Sequence, residues 1–342
     1  MIKEAIKKVS DKQNLSTNEM EAVFTEIMGG KASTDDIASF LLALKHKGET
    51  IEEITGAAVI MRKFATKIRP RRKDLIDTCG TGGDNAHTFN ISTVSAFVAA
   101  GAGCAVAKHG NKSVSSKCGS ANLLEELGVN INIDKDLIEK CIDEIGIGFL
   151  FAPRLHLAMK YAMPARKIIK TRSIFNILGP LTNPAGAKKQ ILGVFDKKLA
   201  DLLIRVLQNL GSLHAMAVHG RDGLDEITTI TPTDVSELIG GGIKAYEINP
   251  EDYGINLSKI DDLLGGDAAY NAKIAIGVLK GEKGPKRDIV LLNAGCAIYI
   301  ADIARDLREG IKMAEESIDS GRAFGKLEKL REVTIAHPRG VQ

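Results

Sequence analysis

The sequence predicts a small all-helical N-terminal unit followed by a larger α/β unit with a mostly parallel central sheet. Three observations carry this expectation. The first 68 or so residues show only helical periodicity, punctuated by caps and glycines. After Lys73 the pattern changes to short apolar runs that alternate with helical stretches, the signature of βαβ units with right-handed crossovers. Glycine is also enriched, with 34 of 342 residues, and many are clustered directly after predicted strands, where a backbone can approach a ligand.

In order, Ser16 to Glu19 reads as a capping box ahead of Met20, Val23, Phe24, Ile27 and Met28, and Gly29-Gly30 stops that helix. Ser33 to Asp36 repeats the logic before Ile37, Phe40, Leu41 and Leu44. Thr50 to Glu53 opens a third helix carrying Ile54, Ala57, Ala58 and Met61. The basic stretch Arg69-Pro70-Arg71-Arg72-Lys73 reads as a solvated linker. Strands are predicted at Leu75 to Asp77, Cys104 to Ala107, Ile191 to Phe195, Ala215 to Val218 and Ile289 to Leu292. Helices are predicted at Ser92 to Ala100, Ala121 to Leu127 and Leu199 to Leu210, with two more at the C-terminus. The stretch from Leu155 to Pro184 interrupts this alternation. The expected domains are therefore 1–70, joined by part of 155–187, and 71–342.

Composition excludes several function classes. Lys plus Arg (46) against Asp plus Glu (43) leaves a net charge of only +3, too balanced for a nucleic-acid coat. Aromatic residues are 4% and Trp is absent, so base stacking is poorly supplied. No apolar run reaches the roughly 18 residues of a membrane span, and the start has no signal-peptide character. The five cysteines form no CxxC pair, which speaks against zinc and for reduced thiols in a cytoplasmic protein.

Three loops carry candidate chemistry. Gly80, Gly82, Gly83 and Asp84, continuing through Thr88, Asn90, Ile91, Ser92 and Thr93 into a helix, would offer main-chain amides and hydroxyls to an anion. Asn85 stands where a dinucleotide fingerprint needs glycine, and the Lys of a Walker loop is missing. Lys108, His109, Gly110, Asn111, Lys112, Ser113, Val114, Ser115 and Ser116 form a second loop, dense in phosphate and hydroxyl ligands. In the third, Asp225 and Glu226 are adjacent carboxylates able to hold Mg²⁺. Taken singly, the first loop also fits a tight turn with an N-cap, and the third an acidic surface loop. Together they describe a cleft for a ligand with phosphates at both ends and hydroxyls between.

The segments CGTGGDNAHTFNIST, KHGNKSVSSKCGSANLLEELG, FAPRLHLAMKYAMPARK, FNILGPLTNPA and HGRDGLDEIT, in this order, resemble the anthranilate phosphoribosyltransferases of tryptophan biosynthesis. The similarity spans nearly the whole chain. It implies the nucleoside-phosphorylase-type fold, a homodimer, and transfer of the phosphoribosyl group from 5-phosphoribosyl 1-diphosphate (PRPP) to anthranilate. By the same resemblance, PRPP would be bound by Gly80, Gly83, Asp84, Thr88, Asn90 to Thr93, Lys108 to Ser116 and Ser120. Anthranilate would meet Gly80, Asn111 and Arg166, and Mg²⁺ would meet Ser92, Asp225 and Glu226. Lys112, Cys118, Lys170 and Ser173 depart from the Arg, Ser, Gly and Thr usual at these positions. The expected mechanism is a dissociative displacement in which Lys108 helps neutralise departing diphosphate, with His109 as the candidate proton acceptor. The alternatives are a related transferase, a pyrimidine nucleoside phosphorylase, or a non-catalytic nucleic-acid-binding relative.

Overall fold

The computed structural model describes residues 1–112 and 117–336. The N-terminal helices are α1 (Ile2–Ser10), α2 (Thr17–Met28), α3 (Thr34–Lys47) and α4 (Ile51–Phe64). Their starts are set by the expected caps: Ser16 Oγ accepts from Glu19 N, and Glu19 answers at Ser16 N. Glu53 does more than cap α4. Fully buried, it also accepts from Leu15 N at 2.9 Å and pairs with Lys47 at 2.9 Å, tying α4 to its neighbours. The helix α1 was not legible as a separate element.

Then follow β1 (Leu75–Gly80), α5 (Ile91–Gly101), β2 (Ala105–Gly110), α6 (Ser120–Glu126), α7 (Lys135–Lys140), β3 (Ile147–Phe151), α8 (Ala152–Leu155), α9 (Met163–Ile169), α10 (Phe175–Leu178), β4 (Lys189–Gly193), α11 (Lys197–Asn209) and β5 (His214–Gly220). The chain closes with β6 (Thr233–Ile239), β7 (Gly242–Ile248), α12 (Ile260–Leu263), α13 (Ala268–Leu279), α14 (Pro285–Ile300), α15 (Leu307–Asp319) and α16 (Arg322–Ile335). One seven-stranded sheet has the order β3-β2-β1-β4-β5-β6-β7. Strands β1 to β5 are parallel, and β6 and β7 add antiparallel. The mostly parallel sheet thus stands as expected, with three strands that the sequence reading missed. The β6–β7 hairpin turns on Gly240-Gly241, both at positive φ, a two-residue loop whose signal lay in the Gly run.

Alternation along β5 shows how both faces are covered. Ala215 and Ala217 pack with residues of α1 to α4, α9 to α11 and the 3₁₀ turn at Leu181. Met216 and Val218 face the core shared with α5 and α14 to α16. The stretch after Leu155 thus contributes Ala162, Ala165, Phe175 and Leu178 to the helical side. The predicted strand at Ile289 to Leu292 is corrected: these residues lie inside α14. That helix is apolar nearly all round because it is buried between α5 and α15, and a continuous apolar run cannot by itself distinguish strand from buried helix. The basic linker is also held, since Arg71 N and Arg72 N donate to Asp143 at 3.0 Å each.

At the N-terminal end of β5, opposite the β1 and β5 C-terminal loops, buried His214 sits between Glu237 and Asp302, 2.9 Å from each. Burial disfavours the imidazolium, but the two carboxylates outweigh it and raise its pKa. The contribution to stability is therefore full below the unfolded value of roughly 6.5 and is lost as pH rises through the higher folded value. Melting temperature is expected to fall between pH 6 and 9 more steeply for the native chain than for His214→Gln. Parallel profiles would contradict this.

Candidate active site

Strand order reverses between β1 and β4, because the chain leaves β1 toward β2 on one side and returns to β4 on the other. Open α/β sheets offer a crevice at such a switch point, outside the carboxyl ends of the strands. Here those ends are Gly80 and Gly193, which face each other as the last register pair. Gly193 has no room for a side chain, and one on Gly80 would displace the Asp225 carboxylate. A Cβ on Gly193 would lie 1.7 Å from the Asp225 carbonyl oxygen, and one on Gly80 would lie 2.4 Å from Asp225 Oδ2. The loop after β5 can therefore lie across the crevice, and it brings the carboxylates with it.

Asp225 Oδ2 accepts from Gly82 N at 2.8 Å, and Glu226 Oε1 accepts from Ser92 N at 3.1 Å. The GTGGD loop thus turns around a carboxylate, using positive φ at Gly82 and Gly83. Asp84 adds a third carboxyl, whose charge acts on that of Asp225. Burial first, then the mutual repulsion of these acids, raises the pKa of both Asp225 and Glu226. The carboxylate oxygens converge here beside the Lys108 ammonium, and their crowding would be further relieved by a hard cation, so the residues fit Mg²⁺. Among the described residues no group of three or more such side chains would enclose a metal alone.

Lys108 is buried at the end of β2, and its ammonium donates to the Thr78 carbonyl and lies 3.5 Å from Ser92 Oγ. Burial lowers its pKa, opposed by Asp77, Cys79 and Glu226. His109 lies next to it in the strand, on the other face, with its Nε2 3.2 Å from that of His156. Burial and then His156 push the His109 pKa down to about 3, so the ring is neutral and a weak base. The proton-acceptor role expected for His109 has no support in this environment.

Other predicted residues are placed as follows. Thr88 bridges to Leu264, and Asn90 donates to Cys118 O at 3.0 Å. Ile91 and Thr93 are buried, whereas Ser92 is partly exposed. Gly110 is packed against Ser120 Oγ and Phe149, Asn111 is exposed, and the Ser120 hydroxyl donates to Asn111 O at 3.3 Å. Lys112 pairs with Glu125 at 2.9 Å. Ser113, Val114, Ser115 and Ser116 lie outside the described residues. Arg166, on α9, stacks 5.5 Å from the Phe175 ring centroid and has no carboxylate partner among the described residues. Lys170 caps α9 at φ +46, which explains why glycine suits that position.

Sequence reasoning missed three supporting side chains. Buried Asn183 donates to Asp77 at 2.7 Å and to Ala107 O at 2.8 Å, joining β1 to β2 beneath the loops. Buried Asn271 of α13 donates to Asn90 Oδ1 at 3.0 Å. Arg172 donates to the Gly83 carbonyl. Each contact spans 89 residues or more of chain except that to Ala107, which spans 76, so no local pattern marks them.

The model of the "glycosyl transferase family, a/b domain" matches residues 72–324, and that of the "glycosyl transferase family, helical bundle domain" matches 3–65. Anthranilate phosphoribosyltransferase of Acetivibrio thermocellus is 54% identical over 98% of this chain and 97% of its own length. The one from Alkaliphilus metalliredigens is 54% identical over 96% and 97%. The chain belongs to the anthranilate phosphoribosyltransferase family. Among solved anthranilate phosphoribosyltransferases, that of Thermus thermophilus superposes with a TM-score of 0.92 at 40% identity, covering 97% of this chain and 99% of the other. The Saccharomyces cerevisiae anthranilate phosphoribosyltransferase, solved in complex with PRPP and Mg, gives 0.89 at 28% identity, covering 98% of each. Membership in this family selects the transferase among the alternatives drawn from the sequence.

The glycine pair beneath Asp225 generates a prediction. Gly193→Ala must displace the Asp225 main chain, so it should cost about 1–3 kcal/mol in stability and most of the activity. Gly325→Ala, in α16 with open space around its Cβ, should instead be neutral or stabilising by roughly 0.5–1 kcal/mol. Thermal unfolding and turnover of the two variants check this; equal effects would remove the special status of Gly193.

Proposed function

We propose that this chain transfers the 5-phosphoribosyl group of PRPP to the amine of anthranilate, giving N-(5-phosphoribosyl)anthranilate and diphosphate. The observation that carries the reading is the convergence at one switch point of a glycine loop, Lys108 and the Asp225–Glu226 pair. Cleavage at the anomeric carbon leaves positive charge on the sugar and negative charge on diphosphate. Amides of the loop from Gly80 to Asp84 and the Lys108 ammonium would hold that negative charge. Mg²⁺, held by Asp225, Glu226 and Ser92, would add Lewis-acid neutralisation of the phosphate oxygens when bound. Thr88, Asn90 to Thr93, and the loop from Lys108 to Ser116 with Ser120 would complete the PRPP site. Gly80 and Asn111 would border the acceptor. Its carboxylate would take the fork of Arg166, a half-buried guanidinium that no protein acid pairs with among the described residues. An aromatic amine needs little help from a base once it is positioned, so no general base is assigned.

We also infer a homodimer in the cytoplasm, with a helical unit of 1–70 joined by part of 155–187 and an α/β unit of 71–342. The exposed apolar side chains Leu42, Leu157, Met163 and Ile168 of the helical side support self-association. Free cysteines support a reducing compartment. No helix among the described residues is long and apolar enough to cross a membrane.

Loss of anthranilate fluorescence with PRPP and Mg²⁺ tests the activity directly. Arg166→Ala should raise the anthranilate KM about 10- to 150-fold, matching a charged hydrogen bond of roughly 1.5–3 kcal/mol, with a much smaller change in the PRPP KM. Equal changes in both would sink the assignment. The carboxylate pair is tested by calorimetry of PRPP binding with and without Mg²⁺. Replacing Asp225 by Ala and Glu226 by Gln should abolish the gain in affinity that the metal confers, with little change in melting temperature. An unchanged gain would leave the pair as an acidic loop.

A further inference from the structure

Arg172 is exposed, yet it is among the most constrained cations around the crevice. Its guanidinium donates to the Gly83 carbonyl and stacks 4.1 Å from the Phe195 ring centroid, just after β4. Gly83 takes φ +84, and a Cβ there would lie 2.5 Å from Arg172 Nη2, so loop and arginine are fitted to each other. Among the described residues no carboxylate pairs with Arg172. Its neighbours in sequence belong to another part of the site. Arg166 lies six positions earlier on α9, and Thr171 is held by Lys45 of α3.

The contact therefore joins two things that hold different substrates in the reading above. One is the arm from Met163 to Ser173, which packs on the helical side. The other is the glycine loop at the end of β1. The carbonyl of Gly83 and the N–H of Asp84 belong to one trans peptide plane and point in opposite directions. A guanidinium that pins the carbonyl thus fixes the direction of the following amide. The flat ring of Phe195 fixes the plane of the guanidinium in turn, a role that a lysine cannot fill.

We propose that Arg172 is a positioning residue that couples the two substrates, by tying the arm that bears Arg166 to the glycine loop at Gly83. This rests on the assignment of the loop to the diphosphate end of PRPP and of Arg166 to the anthranilate carboxylate. Ordering of the loop by its ligand then favours the arm conformation that receives the other ligand, and linkage requires the reverse to the same degree.

Magnesium diphosphate serves as the probe, because with anthranilate it forms a complex that cannot turn over. Its affinity is measured by calorimetry with and without saturating anthranilate, in the native chain, R172A and R172K. In the native chain anthranilate should tighten diphosphate binding roughly 5-fold or more, the lower end of ordinary allosteric couplings. In both variants the factor should fall to within about 2-fold of unity, while diphosphate alone binds more weakly and to the same degree in R172A and R172K, because neither side chain fixes the Asp84 amide. Retained coupling in R172A overturns the proposal. So does the absence of coupling in a native chain that binds each ligand. Lost diphosphate affinity in R172A with rescue by R172K would make Arg172 a direct anion ligand, which overturns it as well. Failure of the native chain to bind diphosphate or to form product would instead strike the functional reading. Arg172 is exposed, so both variants should melt within a few degrees of the native chain.

Discussion

The close passage of the Asp225 main chain over Gly193 is the constraint on which the rest of the site depends. Had β4 ended in any residue with a Cβ, the loop after β5 could not cross the switch point. Asp225 could then not accept from Gly82, nor could Glu226 accept from Ser92. Three separate strands thus deliver one acidic centre through a single steric allowance. The sheet supplies the register, and the paired glycines convert it into proximity.

That centre is electrostatically incomplete within the protein alone. Asp84, Asp225 and Glu226 repel one another, and the buried Lys108 opposes the charge of Glu226. Lys108 in turn is held by the Thr78 carbonyl and balanced by Asp77, which Asn183 anchors. Such a buried network holds its charges in place at a cost in desolvation, and a site with surplus negative charge at one point and amides at another suits a metal-bound polyphosphate. On the opposite face of β2 the logic inverts. His109 and His156 are neutral and packed together, their ring centroids 5.1 Å apart.

Much of the molecule was legible in the sequence, and for local reasons. The helical caps at Ser16, Ser33 and Thr50 formed as read because capping is decided within four residues. Strands β1, β2, β4 and β5 announced themselves as short apolar runs before turns, and the ordered motifs around Gly80, Lys108, Arg166 and Asp225 fixed the family. The illegible parts are those where burial is total or contacts are distant. An apolar run such as Ile289 to Leu292 carries no period when every face is covered, so helix α14 looked like a strand. Strand β3 was hidden for the same reason.

The sequence by itself determined the helical caps, four of the strands, the glycine-rich loops and the residue types available to hold phosphate, carboxylate and metal, because these depend on neighbours along the chain. Only the tertiary structure decided which of them meet. It turned Lys108 and His109, adjacent in sequence, to opposite faces of β2, since successive strand side chains alternate. It gave Asn183, Asn271 and Arg172 their places beneath and beside the loops, through contacts spanning from 76 to 181 residues of chain. Such pairings follow from sheet order and packing, and those are properties of the whole fold rather than of any segment.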